Sequence, residues 1–247
     1  MTARDEKERG LLGDAVCIAR DHFGISGTAG RLYGCEGHIF RIREAAGTQW
    51  VLKLSPASLA DSIELQCHVL NFLARRNPGV ATPSHKPALE NGLPRVEFDG
   101  EPWLAWMVRY LPGRVQASID PKYRSPHELG AVMGRLDRVL SRFDDDKARR
   151  YLRWDLAQGK DLRAGAGPVK DPVRRELAGY MLERSLAAVD RLDTELRKSI
   201  IHGDANDHNL LIDHDETTIT AIIDFGDLVE TWRIVEAANA AAYALFD

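Results

Sequence analysis

The densest run of chemistry-bearing side chains is His202-Gly203-Asp204-Ala205-Asn206-Asp207-His208-Asn209, followed shortly by Ile223-Asp224-Phe225-Gly226-Asp227. An Asp five residues before an Asn is a weak signal alone. A His-Gly directly ahead of that Asp brings the chance rate to about one in a thousand chains, and the downstream Ile-Asp-Phe-Gly makes accident a poor explanation. Asn209 and Asp224 both offer hard oxygen atoms, the kind that Mg²⁺ takes alongside phosphate oxygens. If 210–213 and 220–224 pair as a hairpin around 214–217, the two residues stand at the same open end. Asp204 sits on the loop entering that hairpin, where it can serve as a base or as an orienting group for an incoming hydroxyl.

A second group could hold phosphate charge. Gly30, Gly34 and Gly37 mark a loop, and after it the runs 39–43 and 48–54 alternate apolar and polar residues around a turn containing Gly47. Read as an antiparallel hairpin, they put Lys53 opposite His38 and next to the glycine-bearing loop. A lysine beside backbone amides is a phosphate-binding arrangement. Glu64, on the helix that follows, can pair with Lys53 and fix its position.

The elements that must position these groups are legible as periodicities. A helix is predicted over 6–23, with Leu11, Leu12, Ala15, Ala19 and Phe23 on one side and Gly24 as its stop. Another is predicted over 61–75, and Asp99-Gly100 is a strong hairpin turn between 95–98 and 103–110. After Gly113 the pattern turns helical. Ser125-Pro126-His127-Glu128 supplies an N-cap, a first-turn proline and a capping-box glutamate. Asp171-Pro172 opens a second helix bearing Val173, Leu177, Met181, Val189, Leu192 and Leu196. From Arg233 onward the chain is helical again.

Lys53, Glu64, HGDANDHN and IDFGD together resemble the protein-kinase-like fold. Within it they resemble the aminoglycoside phosphotransferase (APH) family of small-molecule kinases, where HGD stands in place of the protein kinases' HRD. The flanks VRYLPGR (108–114), RYLRWDLA (150–157) and IIDFGDLVETWRIVEAANAAAY (222–243) look most like the hydroxylysine kinase and aminotransferase-linked branch. The resemblance implies an α+β, two-lobed fold: a β-rich, nucleotide-binding N-lobe over 1–110, and a mainly helical C-lobe over 111–247 with the catalytic loop and metal site. It implies ATP and Mg²⁺ as cofactors, Asp204 as catalytic base, and Asn209 and Asp224 as metal ligands. Lys53 becomes the α/β-phosphate contact with Glu64 as its partner, and Met107, Val108, Arg109 and Tyr110 the hinge against which adenine lies. Gly34 and Gly37 complete the nucleotide set. The acceptor is then a small hydroxylated molecule, an amino alcohol or hydroxylated amino acid, with aminoglycosides also fitting. Asp227, Glu230, Asp207 and Asp155 are its candidate contacts.

Two departures stand out. The loop 33–40 is not a G-x-G-x-x-G and has Ile39 before its Phe. Related kinases continue through further helices after the segment ending here at Asp247, and the last helix shows an uncapped apolar face, so the expectation is a truncated C-terminus. A non-catalytic nucleotide-binding module is therefore a competing reading. A metallohydrolase using His202 and His208 is another, although no H-E-x-x-H is present and His202 reads more simply as a buried brace of its loop.

Composition narrows the classes further. With 33 Lys plus Arg against 37 Asp plus Glu, the net charge of −4 offers no positive field for nucleic acid. No stretch nears the roughly 20 apolar residues of a membrane span. Cys17, Cys35 and Cys67 are odd in number and widely spaced, which suits a reducing cytoplasm.

Overall fold

The computed structural model describes residues 3–34, 37–166, 169–192, 194–213 and 218–245. The chain divides into two compact units, one comprising 1–77, 81–113 and 221–226 and the other 78–80, 114–220 and 227–247. Segment 221–226 groups with the first unit because Ile222 N–H donates to Ala81 O at 3.0 Å and Ala221 bridges Ala81. Sequence alone divides the chain once, near 110, and leaves this segment, which carries Asp224, in the second lobe.

The first unit runs α1 (Ala3–Phe23), β1 (Thr28–Leu32), β2 (His38–Arg43), β3 (Gln49–Ser55), α2 (Ala60–Ala74), β4 (His85–Lys86), β5 (Arg95–Phe98) and β6 (Glu101–Arg109). Its strands form one antiparallel sheet in the order β1-β2-β3-β6-β4, with β5 also paired to β6. Gly30 lies in β1, not in a loop, because 28–32 pair with 39–43. The turn between β5 and β6 is the expected two-residue one, with Asp99 and Gly100 both at positive φ (51° and 79°), which matches the twist of the flanking strands. Ala15, Ile18, Ala19 and Phe23 of α1 pack with Phe40, Ile42, Leu52, Leu54, Phe98 and Met107 from the sheet. Burying each large apolar side chain there contributes about 1.5–3 kcal/mol.

The register differs by one from the sequence expectation: Lys53 faces Ile39, and His38 faces Leu54. The connecting turn is the cause. Glu44 N–H donates to Thr48 O and Gly47 N–H to Glu44 O, so five residues separate the paired Arg43 and Gln49.

The second unit contains β7 (Arg114–Val115), α3 (Pro126–Leu140), α4 (Pro172–Leu192), β8 (Lys198–Ile201), β9 (Leu210–Ile212), the start of β10 (Ile219–Ile222), β11 (Val229–Trp232) and α5 (Ile234–Leu245). Ser125 caps α3, its Oγ accepting from Glu128 N–H at 3.2 Å with Pro126 in the first turn. α3 packs against α5 and β8, and Ile201, Val229, Trp232 and Val235 form a cluster where β8, β11 and α5 meet. β9 lies between β7 and β10. Asp213 N–H donates to Thr218 O at 3.0 Å, so the chain reverses around 214–217, the expected turn, which itself lies outside the described residues. α4 departs from its pattern. Its apolar residues do not all pack: Leu186 is buried, whereas Val173, Leu177 and Met181 are 73%, 59% and 53% exposed. Among the described residues no helix is long and apolar enough to cross a membrane.

Candidate active site

In the first unit, strand alternation aims Lys53 away from the buried Leu52 and Leu54, leaving its side chain 19% exposed. Its Nζ lies 3.9 Å from Asp224 Oδ1 and 4.8 Å from the centroid of the Trp106 ring. Asp224 is at φ +61°, a left-handed conformation that Asp tolerates better than most residues. Its Oδ1 accepts from Gly226 N–H at 3.2 Å, which closes a turn and helps hold that conformation. Backbone strain of this kind, about 1–3 kcal/mol, collects at functional sites. Glu64 is half-buried on α2 near Cys67, whose thiol is pushed up to about 12 by burial first and by the Glu64 charge second.

The glycines of this unit have structural work. A Cβ at Gly37, which sits at φ +73°, would lie 2.0 Å from Leu54 O. One at Gly34 would lie 2.2 Å from Ile39 Cδ1. Residues 35 and 36 between them lie outside the described residues. The hinge segment is strand: Met107 and Val108 are buried and paired on both sides, to Leu52 and Val51 of β3 and to Lys86 and His85 of β4. The amides of Arg109 and Tyr110 are already bonded, to Ser84 O at 2.8 Å and Gln49 O at 3.0 Å.

In the second unit the polar loop folds around Asp204. Asn206 Nδ2 donates to Asp204 Oδ1 and Asn209 Nδ2 to Asp204 Oδ2, both at 2.8 Å, and Asn209 Nδ2 also reaches Asp204 O at 3.0 Å. Asn206 Oδ1 accepts from the amides of His208 and Asn209, which makes the loop a compact turn. Because both groups met by Asn209 Nδ2 are acceptors, its amide orientation is set, and its carbonyl oxygen is left as the atom able to meet a cation. That is the oxygen a hard metal ion needs. Asp224 supplies a carboxylate that is 54% exposed. The donor chemistry of both residues thus fits Mg²⁺, which takes one or two protein ligands and completes its shell with phosphate and water.

His202 is fully buried and braces the loop, its Nδ1 accepting from Asp204 N–H at 3.3 Å. Gly203 sits at φ +83° where a Cβ would come within 2.6 Å of Asp227 O, which explains glycine between His202 and Asp204. Beneath the loop lies Glu236 of α5, fully buried. Its Oε2 accepts from His202 N–H at 2.6 Å and Gly203 N–H at 3.1 Å. Burial first, then the Asp137 carboxylate, push Glu236 up to about 7 against the opposing pull of the two amides. Asn239 Nδ2 donates to Gly203 O at 2.9 Å, and Tyr243 O–H donates to Asp204 Oδ1 at 3.2 Å.

The acceptor candidates separate. Asp207 is paired with Arg124 at 2.8 Å, and both line a cavity of about 440 Å³ together with Asp120, Lys122, Ala205 and Tyr243. Glu230 is instead held by Arg149 Nε at 2.7 Å, an arginine that also grips Asp144 and Asp146, so it is not free to receive an ammonium. Asp155 is buried and accepts from Thr231 Oγ1 at 2.8 Å and Ala157 N–H at 3.0 Å, a role in folding its own loop. Its neighbour Trp154 is 68% exposed. Asp155 and Asp227 line a cleft of only about 20 Å³, room for roughly one water.

Glu236, Asn239, Tyr243 and Arg124 escaped the sequence reading. A signal existed for the first three: on an otherwise apolar helix they recur at spacings of three and four, which puts them on one face.

Residues 34–247 match the sequence model described as "Phosphotransferase enzyme family", APH. Hydroxylysine kinase of Mus musculus is 27% identical over 231 residues, covering 85% of this chain and 61% of its own length. The chain thus spans about three fifths of that relative. Among solved structures, an amicoumacin kinase in complex with AMP-PNP and Ca²⁺ superposes with a TM-score of 0.64 at 17% identity, covering 96% of this chain and 70% of the other. A microcompartment-associated aminopropanol kinase gives 0.61 at 17% identity, covering 93% and 74%. The α+β fold is that of these small-molecule kinases.

Proposed function

The chain belongs to the APH phosphotransferase enzyme family, and from that premise we propose that it transfers the γ-phosphoryl group of ATP to a hydroxyl of a small molecule. The observation that carries this reading is the Asp204 carboxylate. It is held at both oxygens by Asn206, Asn209 and Tyr243, and Ala205 and Tyr243 line a cavity of about 440 Å³, a size suited to a small metabolite.

In this reaction the acceptor O–H bond breaks and its proton passes to Asp204. The acceptor oxygen bonds to phosphorus, and the bond from phosphorus to the ADP oxygen breaks. Such transfer asks the protein mainly for positioning and charge neutralisation. Three side-chain donors keep the Asp204 carboxylate in one orientation, and the Glu236 carboxyl holds the backbone of its loop. Asn209 and Asp224 are the residues that would hold Mg²⁺, which would neutralise phosphate charge. Lys53 would contact the α- and β-phosphates, with Glu64 as its partner; the nearness of Lys53 to Asp224 supports a shared phosphate-metal site.

For the acceptor, an amino alcohol or hydroxylated amino acid is favoured over an aminoglycoside. The charged residues of the cavity wall are two acids, Asp120 and Asp207, and two bases, Lys122 and Arg124, paired at 2.9 and 2.8 Å. A polycation gains little from a wall of no net charge, whereas a molecule carrying few charges fits it. The names of the relatives, hydroxylysine kinase and aminopropanol kinase, support the same class. A coupled ADP-release screen over amino alcohols, hydroxylated amino acids and aminoglycosides tests the reading. Acceptor-dependent release with one of the first two classes is expected. A nucleotide-induced thermal shift with no transfer to any acceptor would leave a non-catalytic nucleotide-binding module.

A further inference from the structure

We propose that Tyr243 is a positioning residue for phosphoryl transfer, its phenol fixing Oδ1 of Asp204 while its ring walls the acceptor cavity on the side from which the hydroxyl approaches. The assignment rests on the reading of Asp204 as the base.

Asp204 is otherwise held by its own loop, through Asn206 and Asn209. Tyr243 reaches it from α5, 39 residues further on, with the phenol oxygen 3.2 Å from Oδ1. A carboxylate has no proton to give, so the phenol donates. The helix is anchored where this matters. Glu236 binds the amides of His202 and Gly203, and Asn239 binds Gly203 O, so α5 and the loop are tied twice within the two turns preceding Tyr243. Residues 236, 239 and 243 share one helix face, and the third tie falls on the reacting group itself.

Packing does not explain the residue. Tyr243 is 38% exposed, and the ring borders the cavity with Ala205, Asp207 and Arg124. Burial, the bond to Asp204 and the charges of Asp204, Asp227 and Asp207 all push its ionisation upward, so the phenol keeps its proton and stays a donor at neutral pH. Without that donor Asp204 keeps its two loop contacts but loses the one imposed from outside the loop, while the ring alone still walls the cavity. A hydrogen bond to a charged group is worth about 1.5–3 kcal/mol, equivalent to roughly ten- to hundredfold in rate if realised in the transition state.

The test is Tyr243→Phe, which keeps the ring, assayed beside the wild type with the acceptor found by the ADP-release screen. Expected is a roughly ten- to hundredfold fall in kcat, with the acceptor KM, the ATP KM and the melting temperature close to wild type because the ring is retained. A variant with kcat within about twofold of wild type overturns the assignment, as does a change confined to the ATP KM. A measurement on the intact side chain guards against a variant that folds poorly: 3-fluorotyrosine is placed at 243 and its ¹⁹F line followed. A shift on adding acceptor, beyond that from AMP-PNP with Mg²⁺, supports the cavity wall, and an unmoved line at saturating acceptor overturns it. If the wild type transfers phosphate to no acceptor, the reading of Asp204 falls and takes this assignment with it, which separates the two failures.

Discussion

Glu236 accepts hydrogen bonds from the backbone amides of both His202 and Gly203 through one oxygen, from a position with no solvent exposure. A buried acid on α5 therefore sets the shape of the loop that carries Asp204. Its carboxyl is raised to about 7 from an ordinary 4.5, by burial first and the Asp137 carboxylate second. Asp137 is raised to about 6, again by burial, with Arg233 opposing.

That shift has a sign. The folded protein holds the Glu236 proton more tightly than the unfolded chain between about pH 4.5 and 7, so stability falls as pH rises through that window. At about 1.4 kcal/mol per unit the loss is bounded by roughly 3 kcal/mol. Urea melts at pH 5 and pH 7.5 should show it, and Glu236→Gln, which keeps an acceptor and cannot ionise, should flatten much of the slope. An equally steep slope in that variant would assign the dependence elsewhere.

Asp204→Asn keeps the side-chain volume and removes the base. Turnover should drop by about 10²–10⁴ while AMP-PNP binding, followed by calorimetry, changes little. Near-normal turnover would remove Asp204 from its assigned role.

Asp224→Gly separates strain from function. Glycine accepts φ +61° without penalty, so the melting temperature should hold or rise, even though a Lys53 neighbour is lost. Affinity for Mg²⁺–ATP should fall at the same time. A variant that loses stability without losing affinity would contradict both halves.

Gly203→Ala meets two obstacles: a positive φ of 83°, and a Cβ 2.6 Å from the Asp227 carbonyl oxygen. The loop must move, at a cost of about 1–3 kcal/mol, and kcat should fall with it. Circular dichroism melts and steady-state kinetics on one preparation would read both.

Glu230 is committed to Arg149, so Glu230→Gln should leave the acceptor KM within about twofold of wild type. Asp207→Asn, by contrast, strips an acid from the cavity wall and frees Arg124, and should raise the acceptor KM. Equal effects of the two would mean that the acceptor lies nearer Glu230.

The local features of this chain were readable before folding. Ser125-Pro126 starts a helix and Asp99-Gly100 turns a hairpin because a few neighbouring residues suffice to define those conformations. The close spacing in His202-Gly203-Asp204 through Asn209 likewise brings Asn206 and Asn209 onto Asp204, since a tight turn of a few residues cannot hold them far apart. A one-residue difference in turn length was enough to misplace Lys53 against its partner, because register depends on hydrogen bonds that composition does not specify. What only the folded chain decided are contacts between distant segments: Arg149 taking Glu230, Thr231 taking Asp155, and α5 delivering Glu236, Asn239 and Tyr243 to a loop more than thirty residues earlier. An acid reads the same in sequence whether it will meet water, a substrate or an arginine. Its chemistry is set by what packing brings within hydrogen-bond reach and by how much water packing removes.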